Sequence, residues 1–284
     1  MRIMYKSENK QLAKTNNESM KHTTIEFTID ADQVAHVCLN RADTHNALSP
    51  LMMRELIEVF TDIAGQEAIR AVVLTGAGRS FCAGGDLKWM QSNLNKTRKL
   101  RIAESAILSD LFRCIDQCPK LVIARVNGAA YGGGIGLIAA CDIVISIDTA
   151  SFALTEVRLG LVPANIAPYV IRKIGSARMR RLALNALRFD ARQAQSLGLV
   201  DLAIEDEALD AAVAEEIRHT LACGPMAIAT SKKMIADLER GGLDNPAQYM
   251  VETLADVWEG KEAQAGIRAF FAKSSPPWKQ ENIK

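Results

Sequence analysis

Three consecutive glycines, Gly132, Gly133 and Gly134, follow the apolar, strand-like run Leu121 to Val126 and the link Asn127 to Tyr131. A helical apolar pattern begins at once behind them and ends in Ala140-Cys141-Asp142. Glycine at such a junction has no Cβ to hold a ligand away, and the following helix adds the positive end of its dipole. A second Gly-rich turn, Ala83-Gly84-Gly85-Asp86, comes after another strand-like run, Ala71 to Thr75. Two backbone N–H groups, one from each turn, would clasp one developing negative oxygen as an oxyanion hole. Other glycine chemistries fit poorly. A phosphate loop needs lysine where Gly134 stands, and a dinucleotide fingerprint begun at Gly76 and Gly78 meets Phe81 in place of its third glycine. The structural alternative for the triplet is a tight turn with close helix packing.

Composition narrows the partners. The chain has 284 residues, 49% of them apolar, with a formal net charge of +1, so a large core is expected and nucleic acid is not. The basic cluster Arg178-Met179-Arg180-Arg181 reads as a solvated helix face. Six cysteines are scattered, mostly inside apolar runs, and only Cys114 and Cys118 are close together, with no histidine beside them. That spacing predicts buried free thiols and no metal site. Asp142 interrupts the longest apolar run, so no membrane span is expected. Residues 1–23 are polar and mixed in charge, which predicts a flexible tail and no secretory leader, on a cytoplasmic protein.

Strand-like runs recur at Thr24-Ile29, Val34-Leu39, Ala71-Thr75, Leu121-Val126, Ile143-Ile147 and Ser151-Ala153. Helical patterns separate many of them: Leu51 to Ile63 after the cap Ser49-Pro50, and Leu100 to Cys118, stopped before Pro119. This alternation predicts an α/β architecture. Beyond Leu199-Val200 the β signal fades into Ala-, Glu- and Lys-rich helix, broken at Gly224-Pro225 and Gly241-Gly242. Three regions follow: the tail 1–23, an α/β core 24–204, and a helical lid or assembly region 205–284.

Read in order, the motifs resemble the crotonase family, also called the enoyl-CoA hydratase/isomerase family. Leu39-Asn40-Arg41-Ala42 with Asn46-Ala47-Leu48-Ser49 is similar to its first motif, Ser80 to Leu87 to its second, and Asn127 to Asp142 to its third. Phe152 to Pro163 resembles the fourth; Ala191 to Val200 and the tail Gly266 to Trp278 also fit. The resemblance implies a spiral of β-β-α units with a C-terminal helical region, assembled as a homotrimer or a dimer of trimers. It implies an acyl-CoA thioester as the bound partner and no cofactor beyond the CoA of the substrate. Gly85 and Gly133 would supply the two N–H groups facing the thioester oxygen, the turn around Ala83 would also hold the adenine end of CoA, and Lys273 would reach a CoA phosphate. Glu156 would be the acid–base residue. Trp89, Tyr131 and Arg158 are candidates for the acyl pocket, and Arg158, Arg79 and Lys88 for binding a distal carboxylate.

One position departs from the family's usual hydratase pattern. Typical members carry a second glutamate two residues after the glycine triplet; here that residue is Gly136. An isomerase that shuttles one proton and a hydratase in which Glu156 alone handles water and proton both fit. The segments Tyr131 to Ile138, Leu154 to Arg158, Pro163 to Tyr169 and Arg180 to Asp190 resemble a bacterial branch that contains 3-methylglutaconyl-CoA hydratases of leucine degradation. The expected reaction is therefore hydration of 3-methylglutaconyl-CoA to 3-hydroxy-3-methylglutaryl-CoA. The alternatives are a Δ3,Δ2-enoyl-CoA isomerase, a dehydratase acting on a carrier-bound acyl group, and an acyl-CoA-binding relative without chemistry.

Overall fold

Two sheets of unequal depth set the geometry. The computed structural model describes residues 22–279, so the expectation of a flexible tail falls almost wholly outside the described residues. The larger sheet has six strands: β1 (Ile25–Ile29), β2 (Val34–Leu39), β3 (Ala71–Gly76), β5 (Leu121–Val126), β7 (Ile143–Ile147) and β10 (Leu202–Ile204), in that spatial order. β1 and β2 pair antiparallel, from Ile25 opposite Leu39 to Ile29 opposite Ala35, and the remaining neighbours are parallel. The second sheet is made of short strands: β4 (Ser80–Cys82), β6 (Ala129–Tyr131), β8 (Ser151–Ala153) and β9 (Phe189–Asp190).

The chain alternates between the two sheets. Each long strand, β3, β5 or β7, is followed by a short one, β4, β6 or β8, and then by helix: α2 (Leu87–Asn93) with α3 (Arg98–Asp116), α4 (Gly133–Ala140), and α5 (Ala167–Asn185), which breaks at Gly175. This mixed α/β arrangement with parallel sheets is the expected class. Parallel strands need helical crossovers, and crossovers cover both faces, so β3 and β5 read as near-continuous apolar runs. Helix α4 is apolar on every side and Gly134 through Ala140 are all buried, which makes it the central helix of the core.

Helix α1 (Pro50–Gly65) begins where the Ser49 hydroxyl accepts from the Met52 N–H and Pro50 occupies the first turn, as the sequence predicts. Its inner face buries Met52, Met53, Leu56, Val59, Phe60 and Ile63. After α6 (Ala191–Leu197) the β signal does not end at Val200. β10 adds a further edge strand, with Leu202 opposite Ile145 of β7. Three residues are too few to display an alternation. The last elements are helical: α7 (Leu209–Leu221), α8 (Pro225–Arg240), α9 (Pro246–Glu259) and α10 (Lys261–Phe271). Lys232 on α8 ties this region to the sheet by pairing with Asp142 at 2.6 Å and donating to the Lys120 carbonyl at 2.9 Å. The six cysteines are free, and among the described residues no cluster of His, Cys, Asp and Glu suits a metal and no helix is long and apolar enough to cross a membrane.

Candidate active site

The carboxyl ends of the short strands bring the sequence candidates together. β4 pairs with β6 in parallel (Cys82 with Ala130), and β6 pairs with β8 in parallel (Ala130 with Phe152, Tyr131 with Ala153). Ala83 to Asp86, Gly132 with Gly133, and Leu154 to Glu156 therefore leave three adjacent strands at the same end. Ligands collect at this end in parallel sheets, because the loops converge there and helices begin there.

The turns touch through backbone. A Cβ on Gly84 would lie 2.9 Å from the Tyr131 carbonyl oxygen and 3.6 Å from the Gly133 nitrogen. A Cβ on Gly134 would lie 2.3 Å from the Cys82 carbonyl oxygen. Gly84 (φ 97°) and Gly132 (φ 47°) also adopt left-handed backbone. Larger residues here would push the two turns apart. Gly133 opens α4, so its N–H has no partner within the helix and sits at the positive end of the helix dipole. The Gly85 N–H has no acceptor among the described residues, although its neighbours do: Leu48 N–H donates to Gly84 and Asp86 N–H donates to Leu48. Asp86 holds the turn from the other side. Its carboxylate caps α2 through the Lys88 and Trp89 N–H groups and pairs with Arg41 at 2.8 Å. Hydrogen bonds from those amides and from Arg41 hold its carboxyl below the ordinary value despite burial, which works the other way.

Gly85, Gly133 and Glu156 line one cavity of about 690 Å³, together with Trp89, Leu48 and Ile166. Glu156 starts a short 3-10 turn, Glu156–Leu159, that follows β8. The turn closes on Gly160 in left-handed backbone. The Oε2 atom of Glu156 is buried without a hydrogen-bond partner among the described residues, and Oε1 lies 3.2 Å from where a Cβ on Gly132 would stand. Burial pushes its carboxyl above the ordinary value of 4.5, opposed only by its own backbone N–H. A carboxylate with one oxygen buried and without a partner is costly for a fold and suited to taking a proton. A second cavity, about 820 Å³, lies among α8, α9 and α10 and is lined by Asp256 and Glu262, of which Glu262 caps α8 by accepting from the Met226 and Ala227 N–H groups.

The other candidates lie apart from the Glu156 cavity's lining. Tyr131 shares a 2.6 Å hydrogen bond with Ser151, and the Arg188 guanidinium stacks on its ring. Arg158 donates to the Ala186 carbonyl, which places its guanidinium toward the end of α5. Neither side chain lines the cavity, and nor do Arg79 and Lys88. The Ala83 N–H donates to the His45 carbonyl, so Ala83 belongs to the turn but not to the cavity wall. Lys273 is exposed just past α10, its N–H on the Phe270 carbonyl.

Position 136 has no room for a side chain. A Cβ on Gly136 would meet Ile166 Cγ2 at 2.3 Å and the Phe112 ring at 2.8 Å. The volume that a second carboxylate would use is filled by apolar core. The cavity does hold another carboxylate that the motifs do not signal: Glu104 on α3. It accepts from Trp89 Nε1 at 2.6 Å and pairs with Lys96 at 2.6 Å, and these partners hold its carboxyl below the ordinary value. Glu104 is thus the weaker proton acceptor of the two carboxylates that line the cavity. The amphipathic pattern of α3 gives charged residues such as Glu104 no mark that separates them from a solvated face.

Comparison with known proteins places the chain in a family. The family model described as enoyl-CoA hydratase/isomerase matches residues 30–281. An enoyl-CoA hydratase structure from Shewanella pealeana superposes with a TM-score of 0.87 at 37% identity, covering 91% of this chain and 97% of the other. Enoyl-CoA hydratase AKT6-1 of Alternaria alternata is 32% identical, over 88% of this chain and 85% of its own length. Mevalonyl-coenzyme A hydratase sidH of Aspergillus fumigatus is 30% identical, over 92% of this chain and 98% of its own. With the two glycine turns joined back to back, a desolvated glutamate facing the same cavity, and the match running almost end to end, the chain belongs to the enoyl-CoA hydratase/isomerase family.

Proposed function

We propose that this chain is a hydratase that adds water across the α,β double bond of an acyl-CoA, with 3-methylglutaconyl-CoA as its substrate. The observation that carries this reading is the Glu156 carboxylate, whose Oε2 is buried without a hydrogen-bond partner among the described residues, in the cavity that Gly85 and Gly133 also line. The thioester oxygen sits on the Gly85 and Gly133 N–H groups, where the negative charge of an enolate collects. Glu156 takes a proton from water as the water oxygen bonds to Cβ. The C=C electron pair moves toward the carbonyl, and the same carboxyl returns the proton to Cα. One acid acting on one face gives syn addition. A methyl group on Cβ supports partial positive charge there, so the attack does not require a second carboxylate, for which position 136 has no space. The substrate assignment is supported by the sequence resemblance around Pro163 to Tyr169, since Ala164 and Asn165 line the cavity. It is also supported by the relative named for a mevalonyl thioester, an acyl group that is itself hydroxylated and methylated at Cβ.

Absorbance of the conjugated enoyl thioester tests the reaction. Hydration of 3-methylglutaconyl-CoA, run beside crotonyl-CoA, removes that absorbance; a 3-enoyl-CoA gaining absorbance with no loss on either conjugated substrate would establish the isomerase instead. CoA itself would enter by the turn around Ala83, with Lys273 as a phosphate contact.

The proposal extends to assembly as a trimer or a pair of trimers. Helices α9 and α10 expose Val251, Leu254, Trp258, Phe270 and Phe271, and the loop behind Glu156 exposes Leu159 and Val162. Apolar patches of this kind mark association surfaces. Light scattering is expected to return three or six times the 31.0 kDa chain mass, and a monomer at micromolar concentration would contradict it.

A further inference from the structure

Two elements wall the Glu156 cavity on the side of α2 and α3, and one cation belongs to that wall. Arg101 lies in the first turn of α3, with its guanidinium anchored by Nε to the Asn93 carbonyl and by Nη2 to the Leu94 carbonyl, both at 2.9 Å. These carbonyls end α2, so the cation also complements the negative end of that helix. Nη1 makes no hydrogen bond among the described residues, and Arg101, Asn93 and Leu94 all line the cavity. Beside it, Glu104 is neutralised by Lys96. Arg101 and Lys96 against Glu104 leave one uncompensated positive charge at this end. Ser105 and Asn165, hydrogen-bonded to each other at 3.0 Å, add polar atoms to the same wall.

The spacing fits an acyl tail. Gly85 precedes the N-terminus of α2 and Arg101 caps its C-terminus, so the seven residues of α2 set them about 10 Å apart. A thioester carbonyl on Gly85, a chain of about five carbons and the reach of a guanidinium cover that distance. Two- or three-carbon acyl groups leave it open.

We infer that Arg101 is the specificity-determining residue of the cavity and that it selects acyl-CoA substrates whose acyl chain ends in a carboxylate. This rests on the acyl-CoA reading of the cavity but not on hydration. The anchored fork presents its free edge to the carboxylate, where a charge-assisted pair is stronger than a neutral hydrogen bond. The Arg158, Arg79 and Lys88 side chains, the sequence candidates for this task, lie off the cavity wall.

Binding of unreactive saturated thioesters tests the assignment apart from catalysis. Calorimetry on the wild-type chain would compare glutaryl-CoA with the analogue bearing a terminal amide in place of the carboxylate. Wild type is expected to prefer glutaryl-CoA by about tenfold or more. Arg101→Gln is expected to bring the ratio to near one, and Arg101→Lys to retain part of it. A wild-type ratio near one overturns the inference, as does a preference that survives in Arg101→Gln. The same holds if Lys96→Met abolishes the preference and Arg101→Gln does not. The amide comparison needs no variant, so it decides even if Arg101→Gln loosens α2. Should the preference hold while no enoyl-CoA is hydrated, the hydratase reading falls and this subsite stands; should hydration proceed with no preference, only the subsite falls.

Discussion

Glu156→Gln is expected to lower kcat by about 10²–10⁴ while leaving the affinity for a saturated acyl-CoA within a small factor, because general acid–base help of this kind is made in the transition state. The isosteric amide keeps the volume and takes away the proton acceptor. The wild-type pH profile carries a second signature. Burial raises the Glu156 carboxyl above 4.5, so the acid limb of kcat/KM should break above the ordinary glutamate value. Only the deprotonated form can accept from water, so the rate falls as pH drops through that break. The residual rate of Glu156→Gln should show no such limb. Stability runs with the opposite sign. The folded state binds this proton more tightly than the unfolded state, so the group favours the fold at acid pH and opposes it as pH rises through its folded pKa. Glu156→Gln should therefore melt at a higher temperature than wild type near neutrality, with the gap narrowing toward acid pH. Near-full turnover in Glu156→Gln would remove the carboxylate from the mechanism, and an unchanged melting temperature would show that its burial costs the fold nothing.

Gly136→Glu, which restores the residue usual at this place in hydratases, should fail to fold rather than gain rate. The first carbon of the new side chain would already overlap Ile166 Cγ2 at 2.3 Å and the Phe112 ring at 2.8 Å, and both residues belong to the buried core. Overpacking of this kind costs about 1–3 kcal/mol. A carboxylate forced among apolar side chains without a partner adds several more, against a total stability of about 5–15 kcal/mol. Gly136→Ala isolates the steric part and should cost about 1–3 kcal/mol by urea unfolding. A folded Gly136→Glu chain with a faster hydration rate would show that α4 and Ile166 can separate, and the single-carboxylate mechanism would no longer be required.

The fold class and the long strands were legible in the sequence, which also singled out the glycine turns that meet at the cavity. β2, β5, β7 and β8 match their sequence-read bounds residue for residue, and β3 extends by one residue to Gly76. The long ones among them, β3, β5 and β7, are mostly buried, so hydrophobicity alone outlines them. The strands β4, β6 and β9 have two or three residues each and are not read as strands in the sequence; β4 and β6 lie directly before the glycine turns. β4 and β6 matter most for the site, since their parallel pairing with each other and with β8 puts the glycine turns and Glu156 at one end. Trp89 was a candidate for the pocket and does line it, while Tyr131 and Arg158, equally suggestive in the motifs, turn to Ser151 and Ala186.

Chemical identity travels along the chain, so a glycine where backbone must approach closely, a glutamate after a short strand, and the missing glutamate at position 136 are all readable from residue order. Direction and surroundings are not. Whether a carboxylate lacks a charged partner like Glu156 or is neutralised like Glu104, and which arginine reaches the cavity, depends on neighbours that residue order does not mark: Gly132 beside Glu156, Ile166 against Gly136, the C-terminal end of α2 under Arg101. Burial and pairing are properties of those neighbours, and only the closed packing of the two sheets against their helices sets them.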